Sequence, residues 1–87
     1  SYGDEDTLVP LPGNLTAVTV WLWFIETPEG QYRVHFRSKA LNVNSVAKMF
    51  NGGGHPLASG AFVPDLATVE QVIAQMRAQV LVQTTVN

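Results

Sequence analysis

The most chemically informative residues of this sequence lie in the segment NGGGHPLASGA, residues 51–61, where three glycines directly precede His55. Consecutive glycines adopt positive φ freely, so the amides of residues 52–54 can point into one concavity that holds a phosphate or carboxylate oxygen. His55 either donates to such an anion or packs as a structural histidine, and a glycine run after a helix is often only a tight turn. A nucleotide P-loop is excluded, because the run follows a predicted helix and no Gly-Lys-Ser/Thr sequence comes after it.

The charge distribution points to the same region. The formal net charge of −2 argues against a general nucleic-acid-binding protein, which is usually strongly basic. Residues 31–64 nevertheless carry a charge of +4, because this window contains no acidic residue and four of the five Lys/Arg, namely Arg33, Arg37, Lys39 and Lys48. Both a solvated face with clustered charges and a local anion site are consistent with this window.

The sequence offers little catalytic chemistry of its own. His35 and His55 could share a zinc ion, but further ligands are missing nearby, and residues 31–64 lack the carboxylates of a magnesium or manganese site. Ser38 and Ser59 have no neighbouring aspartate to orient a histidine, which disfavours a hydrolase triad. We therefore assign no catalytic and no metal-ligating residue. The absence of cysteine excludes a thiolate nucleophile and leads us to expect a cytoplasmic location.

A hairpin of two strands should position the basic residues. Residues 17–26 are apolar on both alternating faces and predict an interior strand covered on both sides. A turn at residues 27–30 leads into a second strand at residues 31–38. Strict alternation in that strand predicts three core residues, Tyr32, Val34 and Phe36, and an opposite row formed by Arg33, His35 and Arg37.

Two helices and a third strand complete the predicted elements. A short helix capped by Asn42 or Asn44 should end in a left-handed turn at residues 51–52. A strand follows at residues 57–63. A second helix, with a capping box from Thr68 to Gln71, runs to about Gln79.

The predicted order strand-strand-helix-strand-helix indicates an α+β (α/β-layered) fold in which helices pack on a small mixed sheet. We divide the chain into a lead-in or linker at residues 1–14 and a domain at residues 15–87, with the tail at 80–87 unassigned. The acidic start at Ser1 leads us to expect a piece of a longer protein. No apolar run is long enough to span a membrane, so we expect no membrane partner.

The segment VHFRSKALNVNSVAKMFNGGGHPLASGA, residues 34–61, resembles the DHH-associated domain of the DHH phosphoesterase superfamily. It is most similar to the branch that degrades very short RNAs and removes the 3′-phosphate from adenosine 3′,5′-bisphosphate. The resemblance extends at lower specificity over residues 15–80. One departure is Asn51, where the family often has another glycine; asparagine tolerates the left-handed conformation.

The resemblance implies a division of labour between two domains. The larger one, which carries the Asp-His-His motif and two manganese ions, performs the hydrolysis, and this sequence lacks it. The smaller one, which this chain resembles, grips the substrate by its phosphates and base. The substrate-binding residues implied for this chain are Arg37, Ser38, Gly52, Gly53, Gly54, His55, Ala58, Ser59 and Gly60.

We therefore expect a substrate-binding domain of a manganese-dependent phosphoesterase, with no cofactor and no enzymatic activity in this fragment alone. Its expected partners are short single-stranded RNA or nucleotide phosphates and the catalytic DHH domain of the same chain. One alternative is a non-catalytic nucleic-acid-binding module, or an appendage of a single-strand exonuclease or a cyclic-dinucleotide phosphodiesterase. Another is a homodimerisation domain that uses the tryptophan face of residues 21 and 23.

Overall fold

The computed structural model describes residues 7–12 and 19–85, which form five strands and two helices. In chain order these are β1 (Thr7–Pro12), β2 (Thr19–Glu26), β3 (Tyr32–Ser38), α1 (Asn44–Met49), β4 (Gly53–His55), β5 (Ala58–Val63) and α2 (Leu66–Thr85). The α+β prediction of helices packed on a small sheet is confirmed.

The described strands form one sheet in the order β1-β2-β3-β5-β4, and all neighbouring pairs are antiparallel. The strand directions are thus more uniform than the mixed sheet that the sequence suggested. The predicted turn between β2 and β3 is present: the Gly30 amide donates to the Thr27 carbonyl at 3.0 Å, and Gly30 has φ +82°. A glycine is favoured there because other residues rarely adopt this conformation.

Both helices pack on one face of the sheet. The alternation predicted for β3 is confirmed, since Tyr32, Val34 and Phe36 are buried. They join one core with apolar side chains from β2, β5, α1 and α2, including Val46 and Met76. The opposite face, here called the outer face, carries half-buried and exposed side chains. Residue burial therefore corrects the prediction that β2 is covered on both sides: Trp21 and Trp23, on the outer face, are only half-buried.

The ends of α1 agree with the sequence prediction. The Asn42 side-chain oxygen accepts from the amides of Asn44 and Ser45 at 2.8 and 3.1 Å, which caps the first turn. At the other end Asn51 has φ +63°, and the Gly52 amide donates back to the Ala47 carbonyl at 2.8 Å. This is the left-handed stop that was expected.

The ends of α2 differ from the prediction. Asp65, and not Thr68, provides the cap, because its carboxylate accepts from the Thr68 amide at 2.8 Å and from the Thr68 hydroxyl at 2.6 Å. The helix also continues to Thr85 and does not end near Gln79. Residues 86–87 of the unassigned tail lie outside the described residues.

Two strands were absent from the sequence prediction. Residues 7–12, assigned to the lead-in at residues 1–14, form β1 and pair with β2 from Thr7 opposite Phe24 to Pro12 opposite Thr19. The remainder of the lead-in lies outside the described residues, and the domain boundary at residue 15 stays a prediction. The second strand, β4, includes two of the three consecutive glycines and pairs with β5.

Candidate functional site

Strand register brings Arg37 and His55 into one row across the outer face. Arg37 on β3 pairs with Ala58 on β5, and Ala58 pairs with His55 on β4. Residues directly opposite one another in antiparallel strands project to the same face, so Arg37 and His55 flank the small side chain of Ala58. Their Cα atoms lie two strand spacings, about 10 Å, apart. A guanidinium and an imidazole thus border a shallow space over Ala58.

The Arg37 guanidinium is held over β5 by the backbone. Its Nη1 donates to the Phe36 carbonyl at 2.8 Å and to the Ser59 carbonyl at 3.3 Å. Arg37 is exposed, and within the part of the chain that the structure describes its Nε and Nη2 donate to no protein acceptor. The donor edge of the guanidinium that suits two oxygens of one phosphate is therefore available to a ligand.

His55 is oriented by the tight turn between β4 and β5. Its Nδ1 accepts from the Leu57 amide at 3.0 Å, so the neutral ring carries its hydrogen on Nε2. The ring is exposed, which leaves Nε2–H as a donor for a ligand. The turn is fixed by two further bonds, from the Ser38 amide to the Leu57 carbonyl at 3.0 Å and from the Val43 amide to the Pro56 carbonyl at 2.8 Å.

Ser38 lies beside this turn, and its hydroxyl serves the local backbone. The Ser38 Oγ accepts from the amides of Ala40 and Leu41 at 3.2 and 2.9 Å. These bonds close the chain reversal that leads from β3 towards α1. Ser38 therefore borders the site, with its backbone amide and its hydroxyl both engaged in holding the turn.

The three glycines are under different steric constraints. A Cβ on Gly52 would lie 2.1 Å from the Gly60 carbonyl oxygen, and one on Gly54, which has φ +133°, would lie 2.7 Å from the Ala58 carbonyl oxygen. A Cβ on Gly53 would meet no atom within 4 Å. Packing thus requires Gly52 and Gly54, whereas the space over Gly53 is open.

The prediction that all three amides form an anion-binding nest is wrong for Gly52, whose amide is bonded to the Ala47 carbonyl. Gly53 and Gly54 belong to β4 and pair with Gly60 and Ser59. The loop expected to close around an anion is therefore a short edge strand. Its contribution to the site is an exposed strip of backbone beside the row that contains Arg37 and His55.

Ser59 lies on the buried side of β5 and is only 3% exposed. Its hydroxyl donates to the His55 carbonyl at 2.7 Å and accepts from Asn44 Nδ2 at 3.1 Å. Asn44 Nδ2 also donates to the Gly54 carbonyl at 3.0 Å. The Ser59 side chain thus fixes β4 from beneath, while its neighbours Ala58 and Gly60 face the outer side.

A sequence model of the DHHA1 domain family matches residues 7–81 of the chain. The chain belongs to the DHHA1 domain family. It is 43% identical over 74 residues to the probable bifunctional oligoribonuclease and PAP phosphatase NrnA of Streptococcus mutans, covering 85% of this chain and 24% of that protein. It is 41% identical over 73 residues to the bifunctional oligoribonuclease and PAP phosphatase NrnA of Bacillus subtilis, covering 84% and 23%.

The protein of the same name from Mycoplasma pneumoniae is 38% identical over 78 residues, covering 90% of this chain and 24% of that protein. The DHHA1 chain therefore spans about a quarter of the length of the curated relatives it matches. The resemblance inferred from residues 34–61 is confirmed at the level of the family.

Sequence reasoning missed one supporting residue of the DHHA1 domain, Asn44. The Asn-Val-Asn segment suggested that Asn42 or Asn44 caps α1. Because Asn42 takes the cap, the Asn44 side chain is left to bind Gly54 and Ser59. Two asparagines where one cap suffices were the only signal for this second role.

Among the described residues of the DHHA1 domain, no three His, Cys, Asp or Glu side chains are grouped so that they could hold a metal ion. The manganese ions that the family resemblance implies are expected on the DHH domain and not on these residues. Neither of the two described helices combines the length and the apolar character that crossing a membrane requires.

Proposed function

We propose that this DHHA1 domain is the substrate-binding part of a phosphoesterase that hydrolyses short oligoribonucleotides and adenosine 3′,5′-bisphosphate. The observation that carries the proposal is the row in which Arg37 and His55 flank Ala58. The names of the NrnA relatives favour this function over a single-strand exonuclease or a cyclic-dinucleotide phosphodiesterase.

In this proposal a substrate phosphate lies over Ala58. Arg37 donates from Nε and Nη2 to two phosphate oxygens, and His55 donates from Nε2 to an oxygen on the other side. Gly53 allows the ligand to approach the β4 backbone, since a side chain there would occupy the open space. The four cations of residues 31–64 add an attraction that should weaken as salt concentration rises.

Hydrolysis would take place on a separate catalytic DHH domain of the same protein, where bound manganese would supply Lewis-acid chemistry. The residues of this chain would bind the phosphate, neutralise part of its charge and orient it. We accordingly expect the 87-residue chain alone to release no nucleotide from short RNA when manganese is added. Protein-dependent release would contradict this division of labour.

The test measures binding of adenosine 3′,5′-bisphosphate to the chain by calorimetry. Arg37→Ala and His55→Ala should each weaken binding by about tenfold or more, because each removes a charge-assisted or directed hydrogen bond to phosphate. Arg77→Ala is the matched control: it removes the same charge from an exposed position on α2, on the other side of the sheet. Equal losses in Arg37→Ala and Arg77→Ala would show non-specific attraction and refute the site.

The same variants can be assayed in the full-length protein. There Arg37→Ala and His55→Ala should lower the rate of short-RNA hydrolysis with the manganese content unchanged. Affinity that keeps rising with RNA length beyond about four nucleotides would favour a non-catalytic nucleic-acid-binding module. An average molecular mass in solution that rises with protein concentration, without any nucleotide binding, would favour the homodimerisation domain.

A further inference from the structure

The outer face contains a trough beside the row formed by Arg37, Ala58 and His55. His35 lies two residues from Arg37 on β3, and Gly60 lies two residues from Ala58 on β5. His35 pairs with Gly60, and Gly60 pairs with Gly53. This row has no side chain on β5 or β4. It lies between the Arg37 row on one side and a row in which Arg33 pairs with Phe62 on the other.

The trough has the dimensions of a ligand site. Rows on one face are two residues apart, so the flanking rows lie about 13 Å from each other. A cavity of about 410 Å³ opens on the side of this row that faces Arg33 and Phe62; its lining includes Arg33, His35, Asn51, Gly52, Gly60 and Phe62, and the Arg37 row lies next to it. This volume falls within the range of about 300–1,000 Å³ that is usual for small-molecule pockets.

The wall of the trough formed by the Arg33–Phe62 row, here called the far wall, consists of two planar groups. Phe62 is 57% exposed, although it belongs to a regular strand and pairs with Arg33. The Arg33 guanidinium carbon lies 5.2 Å from the centroid of the Phe62 ring, which is a cation–π distance. Exposed aromatic rings and guanidinium planes beside a basic surface are the groups on which nucleobases stack.

The opposite wall, here called the near wall, is the row that contains Arg37, where the phosphate site is proposed. The charge of the two walls determines which ligand suits the trough. Residues 31–64 contain no acidic residue, so the sequence that supplies both walls is exclusively basic in charge. A ligand that satisfies both walls needs an anion at one end and a flat aromatic ring at the other. A nucleotide has this arrangement.

We propose that the trough over Gly53 and Gly60 is a nucleobase subsite, in which the base stacks on the Arg33–Phe62 pair while its phosphate is held by Arg37 and His55. This inference rests on the proposed function, because it extends the same site by one nucleoside. It assigns binding roles to Arg33 and Phe62, which the sequence analysis did not include among the substrate-binding residues.

The test compares two probes that differ only in the base, adenosine 5′-monophosphate and ribose 5-phosphate, titrated against the 87-residue chain. In the unaltered protein the base should raise affinity on the order of tenfold, as one stacked base typically does. In Phe62→Ala this ratio should fall below about twofold, with the affinity for ribose 5-phosphate unchanged. Phe62→Trp should preserve the ratio, and Phe62→Leu, which keeps apolar area without a ring, should lose it.

Val82→Ala is the control, because Val82 is also 57% exposed but lies on α2, on the opposite side of the sheet. It should leave both affinities unaltered. A base-dependent ratio that survives in Phe62→Ala would overturn the subsite while leaving the phosphate site intact. Failure of both probes to bind, or ribose 5-phosphate binding that is insensitive to Arg37→Ala, would overturn the proposed function and the subsite together.

Discussion

The two faces of β3 and β5 are built from alternating residues of the same short strands, yet they follow different rules. On the inner face the residues of β3 are apolar and buried under the helices, as Phe36 is. On the outer face the same strand presents Arg33, His35 and Arg37, and β5 presents Ala58, Gly60 and Phe62. The inner face is explained by burial of apolar area, whereas packing alone gives no reason for the composition of the outer face.

Ser59 connects the two faces. It is the one polar residue among the described ones that is buried, and its hydroxyl bonds fix the backbone at His55. The outer face therefore acquires its geometry from the inner one. Changes to the inner face should cost stability, and changes to the outer face should cost binding.

The largest difference between the faces is expected for two phenylalanines. Phe36→Ala removes a fully buried ring and should lower the free energy of unfolding by about 3–5 kcal/mol. Phe62→Ala truncates a ring that is 57% exposed and should cost less than about 1 kcal/mol. Urea unfolding followed by circular dichroism measures both. Comparable losses in the two variants would contradict the assignment of Phe62 to an open face.

Two adjacent glycines provide the next comparison. Gly52→Ala places a Cβ against the Gly60 carbonyl and should cost about 1–3 kcal/mol, because β5 must shift. Gly53→Ala meets no atom within 4 Å, so its stability should change by less than about 0.5 kcal/mol. It should nevertheless weaken binding of adenosine 3′,5′-bisphosphate, which calorimetry detects. Unchanged binding in Gly53→Ala would show that no ligand approaches β4 there.

The inner-face support of the site can be removed separately. Ser59→Ala deletes the donor to the His55 carbonyl and the acceptor for Asn44, and should cost about 1–2 kcal/mol. Ser45→Ala, at an exposed position on α1, should stay within about 0.5 kcal/mol. Thermal unfolding compares the two variants. If Ser59→Ala is as stable as Ser45→Ala, the hydroxyl bonds do not hold β4.

The alternating face pattern could be predicted from the sequence, and the edges of the sheet could not. Periodicity in β3 identified its buried residues because it reflects one-sided burial within a single element. β1 contains Pro10 and Pro12, which read as chain punctuation but are tolerated on an edge strand, where one side needs no donors. Its pairing with β2 depends on a partner that local patterns do not encode.

The residues of the candidate site could be predicted from the sequence, but the backbone geometry of its glycine segment could not. Arg37, His55 and the glycines were identified by residue type and by resemblance, and the structure brings Arg37 and His55 into one row. The glycine run was interpreted as a loop because glycine has low strand propensity. Its strand geometry comes from contacts with distant residues, namely Gly52 against Gly60 and the Asn44 side chain on Gly54.

The smallest expected effect concerns the start of α2, which belongs to neither face. The hydrogen bonds from the Thr68 hydroxyl and then from the Thr68 amide lower the pKa of the exposed Asp65 carboxyl below its ordinary 3.8. A carboxyl with a lower pKa in the folded state stabilises the fold above its ordinary pKa. This contribution is lost as the pH falls from about 3.8 through the folded-state pKa.

Asp65→Asn separates this titration from capping, because asparagine also caps helices but does not ionise. The other acidic residues are common to both proteins, so their titration cancels in the difference. Thermal unfolding of both proteins from pH 7 to pH 2 should show a stability advantage of the parent that shrinks only below about pH 4, where the carboxylate becomes protonated. An advantage that is constant across this range would mean that the Thr68 bonds do not depend on the charge of Asp65, and that the cap acts through geometry alone.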